Sequence, residues 1–97
     1  MQADPVVQQA VDHLYEKLEH PGLEQEITKI TRKFQEARYN PGDIHPLADC
    51  MLAILMAAKN AGFTVDMVFE ALERLARDTM SKDWKKMPDG TYQSIDS

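Results

Sequence analysis

The chain has 97 residues, 43% of them apolar and 28% charged, which is the composition of an ordinary globular protein. This length predicts one domain, with a core small enough that oligomerisation often has to support it. The net charge of −5 argues against general nucleic-acid binding, because that function requires a basic surface.

Three features of the chain predict a cytoplasmic location. The single cysteine, Cys50, cannot form an intrachain disulfide, which favours a reducing compartment. The first residues, MQADPVVQQA, lack the basic and apolar segments of a signal peptide. The uncharged run from Cys50 to Ala58 is too short to span a bilayer.

The first two of four predicted helices cover residues 5–19 and 23–39. Asp4 followed by Pro5 is a typical helix start, and the motif His20-Pro21-Gly22 ends the first helix. The second helix carries a narrow apolar stripe on an otherwise charged surface; its members are Leu23, Ile27, Ile30, Phe34 and Ala37. Asn40 to Asp43 then predict a turn.

The third helix, residues 46–60, is predicted to be the central one. Asp43 or His45 caps its start, and Ala61-Gly62 ends it. One side is an apolar stripe, and the opposite side carries Asp49 with Ala53 and Met56. The stripe consists of Leu47, Met51, Ile54, Leu55 and Ala58. Because a helix that is apolar on both sides is usually buried on both, we expect a second chain to cover part of it in a homodimer or higher oligomer.

The fourth helix covers residues 65–81 with Thr64 as its cap, and a tail follows over residues 82–97. The tail contains a turn at Pro88-Asp89-Gly90, and Trp84, Tyr92 and Ile95 are predicted to anchor it. No strand pattern is present. The sequence therefore predicts one all-α domain over residues 1–97, a bundle or irregular array of roughly four helices.

Asp49 stands at the head of the uncharged run, where an uncompensated carboxylate is costly to bury. It is either a metal ligand, or a structural residue that pairs with a lysine or arginine or caps its helix. The same choice applies to Glu26, at the edge of its helix stripe: it is a metal ligand, or a solvated or ion-paired glutamate. His45, four residues before Asp49, is a ligand, a proton-transfer group or a plain helix-terminal histidine.

The order of these pieces resembles a known family. LEQEITKI opens the acidic helix, LADCMLAILMAAKNAGF forms the central one, and KDWKKMPDGTYQSI follows in the tail. Over residues 23–95 the chain is similar to the MazG-like all-α nucleotide pyrophosphohydrolases, especially their small phage and prophage members. The resemblance implies hydrolysis of a nucleoside or deoxynucleoside triphosphate to the monophosphate and pyrophosphate, with Mg²⁺ or Mn²⁺ held by carboxylates.

The family pattern supplies its metal ligands as Glu-Glu-x-x-Glu on one helix and Glu-x-x-Asp on the next. Here the first motif retains only Glu26 and has Lys29 in the last position. The second motif retains Asp49, but Pro46 replaces the glutamate. The resemblance therefore implies Glu26 and Asp49 as the remaining metal ligands, with Lys29 able to take the place of the metal charge.

In the tail, Lys82 and Trp84 are candidates to contact the phosphates and base of a nucleotide, or else form a solvated basic helix end. Two functions follow from these alternatives. The chain is a magnesium-dependent pyrophosphohydrolase, or it is a non-catalytic homologue with degenerate motifs that acts as a binding or interaction module. If Lys29 fills the metal position, the enzyme hypothesis loses its metal.

Overall fold

The computed structural model describes residues 5–95, and four helices dominate it, which confirms the predicted all-α fold. The helices are α1 (Pro5–Lys17), α2 (Leu23–Tyr39), α3 (His45–Asn60) and α4 (Val65–Met80). Helix α1 ends two residues before its predicted end. The cause is local, because Glu19 and His20 adopt left-handed backbone conformations with φ of 61° and 58°.

Helix α1 packs against the C-terminal part of α3 and the start of α4. Val11, Leu55, Met56 and Val65 form the buried core where the three helices meet. Polar contacts reinforce this junction. The Gln8 side-chain oxygen accepts a 2.8 Å hydrogen bond from the backbone N–H of Val65, the first residue of α4.

Two further polar contacts fasten α1 to α3. The Asp12 carboxylate pairs with Lys59 at 2.8 Å, and the hydroxyl of Tyr15 donates to the side-chain oxygen of Asn60 at 2.7 Å. The hydrogen bond from Lys59 lowers the pKa of Asp12, and one from Gln8 adds to the effect.

Helices α2 and α3 form an antiparallel pair joined by residues 40–44. The thiol of Cys50 on α3 lies 3.8 Å from the carbonyl oxygen of Ile30 on α2, so the two residues are at the same level of the pair. Ala53 is fully buried, which allows close approach of the two helices. We call the contact region between these two helices the α2–α3 seam.

Helix α4 leaves this pair at a steep angle, because the chain bends by 112° between α3 and α4. Apart from Val65, the residues of α4 are exposed or only partly buried. Within residues 5–95, no single helix is long and apolar enough to cross a membrane; α3 and α4 meet that criterion only as this bent pair.

The tail contains a small antiparallel hairpin, which the sequence analysis missed. Strands β1 (Trp84–Lys86) and β2 (Tyr92–Ser94) pair on either side of the predicted turn at Pro88-Asp89-Gly90. The hairpin is only three residues long on each side, too short for a recognisable alternating pattern. The predicted anchors Trp84, Tyr92 and Ile95 are 45%, 62% and 56% exposed, and the indole N–H of Trp84 reaches the end of α4.

The start of α4 offers a test of the fold. The hydroxyl of Thr64 accepts a 3.2 Å hydrogen bond from the backbone N–H of Met67, as in a typical N-cap. We expect Thr64→Ala to lower the free energy of unfolding by about 1 kcal/mol in urea denaturation, because this N–H loses its partner.

Thr31→Ala is the matched control, because Thr31 lies inside α2 and is exposed. Alanine favours the helix interior, so this variant is expected to keep or slightly raise the stability. Equal losses in both variants would contradict the capping role of Thr64.

Candidate functional site

Asp49 lies on the α2–α3 seam in an ion pair with α2. The Nζ atom of Lys33 is 3.4 Å from the Asp49 carboxylate and 3.1 Å from that of Glu36. The two hydrogen bonds, the one to Glu36 foremost, raise the pKa of Lys33 and keep it charged. Asp49 keeps 42% of its side chain exposed. Of the alternatives for this residue, the structure therefore shows the ion pair.

The partner of Asp49 is one of the lysines of α2. Lys29 was expected to pair with Glu26 or Asp49; the structure places Lys33, one turn further along α2, against Asp49, and the charge of Lys29 acts on Glu26. A helical projection of the sequence identifies Lys33 as a candidate partner, because Lys33 follows Glu26 by seven residues and therefore lies on the same side of α2.

Glu26 is buried in the same seam, which corrects the expectation of a solvated residue at the edge of a stripe. Only 4% of the residue is exposed, and its Oε2 atom has no hydrogen-bond partner. Burial raises the pKa of the Glu26 carboxyl, and the positive charge of Lys29 offsets part of that rise. Glu26 is thus a buried acid whose second oxygen has no protein donor.

Asp49 contacts Lys33, which follows Glu26 by seven residues along α2. Between residues 5 and 95, no group of three or more His, Cys, Asp and Glu side chains could hold a metal ion. Of the two expected ligands, Asp49 is paired with a lysine, and the role of Glu26 and Asp49 as metal ligands stays a prediction.

Two other acids on or beside these helices, Glu24 and Asp43, have different surroundings. Glu24 is exposed on the outer surface of α2. Asp43 accepts hydrogen bonds from the backbone N–H of His45 at 3.0 Å and from its ring Nδ1 at 2.8 Å, and these lower the pKa of Asp43. Asp43 thus caps the start of α3, and His45 is a helix-terminal histidine with an exposed ring.

Lys82 and Trp84 lie where α4 leads into the hairpin. The Nζ atom of Lys82 pairs with the carboxylate of Asp78 at 3.0 Å, and the indole N–H of Trp84 donates to the carbonyl oxygen of Thr79 at 3.1 Å. The Trp84 contact joins the first strand of the hairpin to the end of α4, and the Lys82 pair lies at the helix end itself. Their role toward a nucleotide stays a prediction.

An exposed apolar surface on the α2–α3 pair is the other prominent feature. Three side chains of α2 and three of α3 are between 44% and 57% exposed. They are Leu23, Ile27, Phe34, Leu47, Met51 and Ile54. At 100° per residue, both sets point to the side of the pair that faces away from α1. We call this surface the α2–α3 apolar face.

The apolar face continues into a groove between α3 and α4. The groove has a volume of about 260 Å³, and its lining is almost entirely apolar. It is formed by Met51, Ile54, Leu55, Val68, Phe69 and Leu72. In the apolar stripe of α3, Leu55 is buried and Ala58 partly buried, whereas Leu47, Met51 and Ile54 are about half exposed.

Comparisons with known proteins add no relatives to this description. No protein-family model, curated protein or solved structure matches the chain.

The buried carboxyl of Glu26 predicts a pH-dependent stability. Because its pKa is raised in the folded state, the folded protein binds this proton more tightly than the unfolded chain does. The stabilisation that the Glu26 carboxyl contributes is complete below its ordinary pKa of 4.5. It is lost as pH rises through the pKa of this carboxyl in the folded state. We therefore expect Glu26→Met to stabilise the fold by about 1–2 kcal/mol near neutral pH, with a smaller gain in acid.

Urea denaturation at several pH values from about 5 to about 8 measures this difference. Glu24→Met is the matched control, because Glu24 is exposed on the same turn of α2. A loss of stability in Glu26→Met at neutral pH would contradict the unpartnered state of the carboxyl.

The ion pair across the seam predicts a small coupling energy. We expect a double-mutant cycle of Lys33→Met and Asp49→Asn to give a small coupling energy, because both side chains are partly exposed and Lys33 also binds Glu36. High salt should reduce the coupling further. A cycle with no coupling at low salt would mean that the pair does not form in solution.

Proposed function

We propose that the chain is a non-catalytic helical binding module that retains the general plan of the MazG-like pyrophosphohydrolases. The observation that carries the proposal is the α2–α3 apolar face, since six half-exposed apolar side chains on one surface are typical of a protein–protein contact site. The groove beside α4 extends the same surface.

The contacts of Glu26 and Asp49, the two acids at the family's ligand positions, support the loss of catalysis. In the family pattern, carboxylates on two helices converge to hold divalent metal. Here Lys33 binds Asp49, and Lys29 is the charge near Glu26. These lysines neutralise the remaining acids from within the chain, which removes the excess negative charge that a Mg²⁺ site requires.

A second candidate function is the pyrophosphohydrolase activity itself. The observation that favours it is the Oε2 atom of Glu26, a buried carboxylate oxygen without a partner, which a cation could satisfy. Glu26 and Asp49 would then hold Mg²⁺ or Mn²⁺, and Lys82 and Trp84 would contact the nucleotide. Because the described part of one chain offers no third ligand nearby, this function requires ligands from a second chain.

Pyrophosphate release from a panel of ribo- and deoxynucleoside triphosphates distinguishes the two functions. With Mg²⁺ or Mn²⁺ present, we expect no release above that of a buffer blank, and the same result for Asp49→Ala. Turnover by the native chain that disappears in both Asp49→Ala and Glu26→Gln would establish the enzyme and contradict the binding module.

A further inference from the structure

We propose that the tail hairpin is a second binding site, where strand β1 pairs with an extended acidic segment of another protein. This site is separate from the α2–α3 apolar face and does not depend on what covers that face. Three features of the hairpin point to such a partner: the open edge of β1, the lysines along that edge and the aromatic side chains beside them.

The outer edge of β1 is open to another strand. The backbone N–H of Met87, directly after β1, donates to the carbonyl oxygen of Thr91 at 2.7 Å. Because hydrogen-bonded pairs alternate with non-bonded ones along an antiparallel ladder, the backbone N–H and C=O groups of Trp84 and Lys86 point away from β2. All three residues of β1 are exposed, so this edge is accessible to an added strand.

These open backbone groups select a polypeptide as the partner. An added strand pairs its own N–H and C=O groups with those of β1, whereas a phosphate chain or a lipid headgroup does not offer alternating donors and acceptors at that spacing. The edge of β2 is less accessible, because Ser94 is partly buried. The partner therefore adds to β1.

The lysines of β1 determine the charge of the partner. Lys85 and Lys86 are exposed, and neither is in an ion pair within the described residues, whereas Lys33, Lys59 and Lys82 each pair with a carboxylate. Residues 82–97 contain three lysines and three aspartates, so the whole net charge of −5 lies in the preceding part of the chain. An acidic segment is therefore repelled by the helical part and attracted to β1.

The alternation of side chains along a strand fixes the pattern of the partner. Lys85 and Lys86 point to opposite faces of the hairpin. An added antiparallel strand meets Lys86, then Lys85, then Trp84, and its side chains alternate in the same way. Two consecutive acids thus place one carboxylate beside each lysine.

The aromatic side chains favour an apolar residue after the two acids. Trp84 and Tyr92 lie on the same face of the hairpin, because the register pairs Lys86 with Tyr92 and neighbours two apart share a face. Both aromatic rings are about half exposed. The partner residue opposite Trp84 packs against this surface when it is apolar. The predicted pattern is acid, acid, apolar.

The fluorescence of Trp84 measures the binding directly, because it is the only tryptophan of the chain. The probe is a peptide with blocked ends, Thr-Val-Thr-Glu-Glu-Val-Thr-Val-Thr, which has no aromatic residue. We expect a saturable change in emission with a Kd below about 1 mM at low salt, and weaker binding at high salt.

A double variant and its control locate the charged contact. Lys85→Gln together with Lys86→Gln should weaken binding about fivefold or more, because two cross-strand charge pairs are lost. Lys17→Gln together with Arg38→Gln is the matched control and should bind like the native chain. Both of its residues are exposed at helix ends outside the hairpin, and the net charge changes equally.

A modified peptide tests the backbone pairing. N-methyl groups on the first glutamate and on the valine after the second remove the two N–H groups that face β1 and keep the charge. We expect this peptide not to bind, because it cannot form the ladder.

Four results would overturn the inference. They are no saturable change with the unmodified peptide, equal binding of the N-methylated peptide, unchanged binding by the Lys85 and Lys86 double variant, and equal weakening in the Lys17 and Arg38 control. A single-stranded oligonucleotide of equal charge is a further probe. If it binds more tightly than the peptide and depends on Lys85 and Lys86, the hairpin is a nucleic-acid site and the peptide partner is wrong.

Discussion

The rest of the molecule depends on the seam between α2 and α3. Close approach of these helices at Ala53 buries Glu26 and places Lys33 against Asp49. The same approach fixes which sides of the two helices remain open. Of the large side chains of α3, Leu55 and Met56 pack into the core with α1, whereas Leu47, Met51 and Ile54 lie on the side facing away from α1 and are about half exposed.

This arrangement bears on how the acids of the seam are neutralised. Buried acids between helices are favourable when a divalent cation neutralises them and costly when nothing does. In this seam lysines of α2 provide the neutralisation for Asp49 and part of it for Glu26. Self-association would add to the stability of such a chain, since it buries apolar area that the small core does not.

Much of the fold could be predicted from periodicity and caps. Apolar periodicity predicts all four helices, together with the start and stop signals at Pro5, Gly22 and Thr64 and the turn before α3. The predicted helix ends differ from those in the structure by at most two residues. The end of α1 and the short hairpin were not predicted, because both depend on backbone conformation rather than on the pattern of apolar residues. The half-exposed stripe of α3 could not be foreseen either, since burial depends on the angle at which α4 leaves.

The sequence identifies the two acids of the site but not the residues that pair with them. Asp49 and Glu26 stood out as acids near apolar residues, yet whether they share a metal depends on the register of α2 against α3. That register places Lys33 beside Asp49. A sequence without the structure gives two helices and their faces, but not their relative shift along the seam, and this shift decides which lysine of α2 reaches Asp49.

The central claim is that lysines of α2 neutralise the acids of the seam. The most direct measurement follows the side-chain carboxyl carbon resonances of Glu26 and Asp49 by NMR while Mg²⁺ is added to millimolar concentrations. The account predicts that neither resonance moves beyond the general effect of ionic strength, with Glu24 as the internal reference. A saturable shift of both resonances, absent from Glu24, would show that the two acids bind a common ion and would contradict the account.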